Sequence, residues 1–82
     1  METISVTFRA NDARVLDDSI KAVIAALPEK EFTTLSLTVL EAVVVDEERK
    51  LGRRLTIDAP TDKLVVRLSH IDVPHAVEIS VR

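Results

Sequence analysis

Residues 54–82 read RLTIDAPTDKLVVRLSHIDVPHAVEISVR, and this stretch decides the fold. Leu55 and Ile57 alternate with polar neighbours, which predicts a short strand over 53–58 with those two side chains inward. Pro60 and Thr61 then mark a helix start. A Thr hydroxyl accepts from the first free amides, and Asp62 in the first turn suits the positive end of the helix dipole. Leu64, Leu68 and Ile71 form the expected buried stripe, with Val65 beside it, and Pro74 is expected to stop the helix. Val77, Ile79 and Val81 then alternate with Glu78, Ser80 and Arg82 in a final strand.

The N-terminal part repeats this plan. Ile4, Val6 and Phe8 alternate with Ser5, Thr7 and Arg9, the pattern of a strand with one apolar face. Asn11 and Asp12 are both good helix caps. Leu16, Ile20, Val23 and Leu27 then recur with helical spacing, widened by Ile24, while Arg14, Asp17, Asp18 and Lys21 face water. Pro28 disfavours helical geometry at Leu27 and closes the segment.

Between the two halves, Leu35, Leu37 and Val39 alternate with Thr34, Ser36 and Thr38. The pattern blurs after Leu40, where Glu41 falls in the apolar phase and Val43, Val44 and Val45 run consecutively. Either a bulge shifts the phase there or the strand is apolar on both faces. Asp46–Gly52 (DEERKLG) reads as a hairpin loop of several residues. The resulting order is βαββαβ. Right-handed crossovers then predict an α+β, ferredoxin-like sandwich: a four-stranded antiparallel sheet with two helices on one face, one domain over 1–82.

Composition narrows the function. With no Cys there is neither a disulfide framework nor thiol chemistry. Phe8 and Phe32 are the only aromatics and are expected in the core, which weakens any reading as a surface that stacks bases. A net charge of −3 argues against a strongly basic nucleic-acid binder but permits a local basic patch. The first residues show no signal-peptide pattern, and no segment reaches the ~20 apolar residues of a membrane span, so a cytoplasmic chain without membrane contact is expected.

The turn residues resemble the small-subunit ribosomal protein S-ten family. Ala10-Asn11-Asp12-Ala13-Arg14-Val15-Leu16-Asp17-Asp18-Ser19 is similar to the family's passage from strand one to helix one. Pro60-Thr61-Asp62-Lys63, Leu68, Ile71-Asp72-Val73-Pro74 and Val77 resemble its Pro-Thr-acid-Lys helix start, its aliphatic-Asp-aliphatic-Pro closure and its last strand. The matches cover roughly residues 4–27 and 54–81. The resemblance implies a ribonucleoprotein component of the translation machinery that binds rRNA or ribosomal proteins. The family's long β2–β3 extension, with its Gly-Pro-Ile-Pro-Leu-Pro-Thr tract and basic tip, has no counterpart in residues 32–51.

Arg49, Lys50, Arg53 and Arg54 cluster where that extension would leave the body, and they are the first candidate RNA-binding residues. The bland reading is a solvated hairpin tip balanced by Asp46, Glu47 and Glu48. Arg9 and Arg14 flank the strand-one to helix-one turn and are further candidates. His70 and His75 bracket Pro74 with only Asp72 between them, too few ligands for a metal site. The carboxylate pairs and the single glycine build no acid–base dyad or phosphate cradle, so no enzymatic activity, cofactor or metal is expected. Two functions remain: a ribosomal or ribosome-associated structural protein docking through its basic β2–β3 end, or a protein-interaction module that binds no RNA and forms a homodimer by edge-strand pairing.

Overall fold

A computed structural model describes residues 2–82. Strand β1 covers Thr3–Ala10, and its inward residues Val6, Phe8 and Ala10 are almost fully buried. Asp12 then caps helix α1 (Ala13–Ala25), its carboxylate accepting from the amides of Arg14 at 2.8 Å and Val15 at 3.2 Å. A cap of this kind stabilises a helix by about 1 kcal/mol. Leu16, Ile20 and Val23 form the buried side of α1, and Leu27 continues the apolar line just past its end. A short 3₁₀ turn at Glu29–Glu31 leads into β2 (Thr34–Val45), followed by β3 (Glu48–Asp58), α2 (Asp62–Leu68) and β4 (Glu78–Val81).

The strands form one four-stranded sheet in the order β2-β3-β1-β4, antiparallel at every junction. One core cluster joins Val6 and Phe8 of β1, Leu55 and Ile57 of β3, and Leu16, Ile20, Leu64 and Leu68 of the helices. Both helices therefore cover the same face, and the opposite face is open. The α+β reading, the antiparallel sheet and both helix starts agree with the sequence expectations. Phe8 is fully buried, while Phe32 packs against the core from its margin.

Four expectations are refined or corrected. The blurred phase of β2 is a bulge: Leu40 pairs with Gly52 but Val43 pairs with Lys50, so one extra residue is inserted into β2. The expected loop at Asp46–Gly52 is instead a two-residue turn. Asp46 and Glu47 have φ of 52° and 65°, and β3 already begins at Glu48. Positive φ at both central residues matches the right-handed twist of the flanking strands, which is why so short a connection closes the hairpin. Helix α2 ends at Leu68, earlier than Pro74 requires, because Ser69 turns its hydroxyl back to the Val65 carbonyl at 3.1 Å and caps it. Ile71 reaches the core from the irregular segment that follows. Leu37 and Val39 lie on the helix side of the sheet, yet both are exposed, because the outermost strand β2 extends past the cover of the helices.

Candidate nucleic-acid interface

The candidate cations are distributed by strand parity, not by sequence adjacency. Leu55 is buried, so its neighbour Arg54 faces the open side and Arg53 faces the helices. Arg53 sits half-buried there: its Nε lies 3.5 Å from Asp17 Oδ1 of α1, and its Nη1 donates to the Gly52 carbonyl at 2.9 Å. Its long stem lies alongside the core margin, so this residue serves the fold. Arg54 is exposed, opposite Thr7 on one side and Thr38 on the other.

Lys50 also lies on the open side, where Nζ donates to Glu78 Oε1 of β4. That hydrogen bond raises the amine above its ordinary range, with further support from the charges of Glu78, Glu48 and Asp46. Arg49, opposite Val44, is exposed on the other side of the hairpin arm. Arg14 is exposed in the first turn of α1. Arg9 lies across the open side above Gly52, its register partner in β3. Its Nη1 is shielded from solvent and has no hydrogen-bond partner among the described residues. The four-residue patch of the sequence therefore does not exist as one surface: Arg54 and Lys50 share the open face with Arg9, while Arg49 and Arg53 lie on the reverse.

The open face also brings in a cation that sequence adjacency leaves aside. Arg82 pairs with Ser5 through reciprocal backbone hydrogen bonds of 2.9 Å and lines a polar depression with Ser5, Thr7, Arg54 and Ser80. Its signal was the alternation Glu78, Ser80, Arg82 in the last strand. Three carboxylates share this face, and each is occupied. Glu48 accepts from Asn11 Nδ2 at 2.6 Å, Glu78 holds Lys50, and Asp58 accepts from the hydroxyls of Thr34 and Thr3. The Thr34 bond, then the Thr3 bond, holds the Asp58 carboxyl below its ordinary value. Among the described residues, Arg54, Arg82, Arg49 and Arg14 make no ion pair.

The hairpin arm is the second feature of note. Every residue from Glu41 to Arg49 is exposed, and Val44 keeps 72% of its surface in solvent. His75 lies beside Asn11, Glu48 and Lys50 at the root of the arm, whereas His70 lies at the far ends of the helices with Ala22, Ala26 and Ile71. No described helix is long and apolar enough to cross a membrane. No protein-family model matches the chain, and no curated protein matches it.

Proposed function

We propose that this chain is a ferredoxin-like domain of the S-ten type, a structural component of a ribosomal or ribosome-associated particle that docks on rRNA or a ribosomal neighbour through its β2–β3 end. The strand order β2-β3-β1-β4 supports the ferredoxin-like reading, because in it each strand–helix–strand unit is split by one antiparallel strand. The resemblance of residues 10–19 and 60–77 to the S-ten family supports the particle. The observation that carries the docking role is the arm itself: Val43, Val44 and Val45 are exposed beside an unpaired Arg49, where an isolated molecule gains nothing from them. An arm that is apolar on both sides, with Arg49 beside Val44 and the acidic pair Asp46 and Glu47 at its tip, suits a crevice where RNA meets Arg49 and a protein surface meets the valines and the tip.

Sedimentation of cell extract at low salt tests this reading. The protein is expected to travel with ribosomal particles, and the pair Val44→Glu and Arg49→Glu is expected to release it. Wild-type protein that stays at the top of the gradient would overturn the reading.

A second reading, an interaction module that pairs with its own copy, draws on β2. This is an edge strand of 12 residues with Glu41 as its only charge. It predicts a dimer in light scattering that persists at high salt, and a strict monomer would remove it.

A further inference from the structure

We propose that the open sheet face carries a phosphate-binding site between Arg54 and Arg82, floored by Ser5, Thr7 and Ser80, and that its ligand is the phosphodiester backbone of RNA. The inference rests on the docking role above but uses a different surface from the arm. Four of the five residues come from three adjacent strands, Arg82 follows directly on β4, and all five line one depression. Thr7 stands opposite both Arg54 and Ser80, and Ser5 is locked to Arg82 by two backbone hydrogen bonds. From the spacing of strands and residues, the two arginine Cα atoms lie roughly 12 Å apart across the sheet, with the hydroxyls between them. Two long forked donors can close on an anion resting on that floor, each offering paired N–H groups to phosphate oxygens.

Charge and composition choose the ligand. Glu48, Glu78 and Asp58 share the face but none of them lines the depression, whose only charged side chains are Arg54 and Arg82. An anion is therefore the complementary guest. Hydroxyls and guanidinium groups are the side chains that contact phosphate and sugar, and no aromatic ring is present on the face to stack a base. The site therefore grips backbone and ignores sequence. Arg9, held over Gly52 on the same face, extends the positive surface towards the root of the arm.

Fluorescence anisotropy with labelled oligouridylate and oligoadenylate, together with amide-resolved NMR under inorganic phosphate, tests the site. Wild-type protein is expected to bind both oligonucleotides equally within about twofold. Phosphate should shift the amides of Ser5, Thr7 and Ser80. Arg54→Gln and Arg82→Gln should each weaken binding by about tenfold and each reduce the salt slope by about one. Unchanged binding in both variants, or amide shifts confined to 43–49, would overturn the site while leaving the docking role of the arm intact. So would wild-type protein that binds neither oligonucleotide yet still travels with ribosomal particles. Equal binding of a polyglutamate peptide would overturn the assignment to RNA.

Discussion

The guanidinium of Arg9 fills the space above Gly52 that a side chain would need. A Cβ built on Gly52 would lie 2.7 Å from Arg9 Nη1, 3.1 Å from its Cζ and 3.2 Å from Leu40 Cβ. The single glycine of the chain thus allows a cation to lie flat on the open face, shielded by the same contact. Gly52→Val should cost roughly 1–3 kcal/mol, since Leu40 on the neighbouring strand cannot withdraw freely. In an Arg9→Ala background, about 1 kcal/mol of that loss should return. Urea denaturation of the four proteins in a double-mutant cycle measures the coupling, and strict additivity would contradict the geometry.

Two backbone positions carry strain that substitution can relieve. Glu47 has φ of 65° in the hairpin turn, and Ala59 has φ of 52° immediately before Pro60. Left-handed geometry costs an ordinary residue roughly 1–2 kcal/mol, and glycine adopts it freely at some expense in unfolded-chain entropy. Glu47→Gly and Ala59→Gly should each stabilise the protein by about 0.5–1 kcal/mol, a rise of a few degrees in Tm for a chain this size. A fall in Tm for either variant would show that the turn relaxes to another geometry.

The neighbours Arg53 and Arg54 should separate stability from binding. Arg53→Ala removes the contact with Asp17 and uncovers the core margin, so stability should fall by about 1 kcal/mol. Arg54→Ala removes an exposed side chain and should leave stability within about 0.5 kcal/mol of wild type. Thermal melts of the two variants decide this, and equal losses would refute the assignment of the two residues to opposite faces.

Acid should loosen the junction of β1, β2 and β3 through Asp58. Its carboxyl titrates below the ordinary value of 3.8 because Thr34 and Thr3 donate to the ionised form. A depressed native pKa gives stability that is complete above the unfolded value and is lost as pH falls through the folded one. The contribution therefore disappears below about pH 4. Thr34→Val should move the Asp58 titration upward in carboxyl-detected NMR and flatten the acid limb of the stability curve. An unmoved titration would remove the Thr34 bond from the account.

Much of the fold was legible because burial imposes a period. Val6 and Phe8, the Leu16–Leu27 stripe, Leu55 and Ile57 each face one core, and Asp12 and Thr61 cap their helices with side chains suited to it. The hairpin was misread where burial stops. Glu48, Arg49 and Lys50 form strand in an arm that no helix covers, so nothing selects apolar residues at alternate positions. The turn Asp46-Glu47 also lacks the glycine that usually marks such a hairpin. At the candidate site, four cations close in sequence suggested one patch. Alternation about Leu55 divides them, and Arg82 joins the face from the far end of the chain only through its pairing with Ser5.

The outer flank of β2 has a consequence for the cell that makes this chain. Its backbone donors and acceptors form an open zipper, and the carboxylate of Glu41 and the bulge between Leu40 and Val43 are its deterrents against unwanted company. A second chain laid along this flank, another copy included, would close the zipper, and two copies joined in this way leave neither flank open. Crowding of the chain with itself therefore favours closure of this seam.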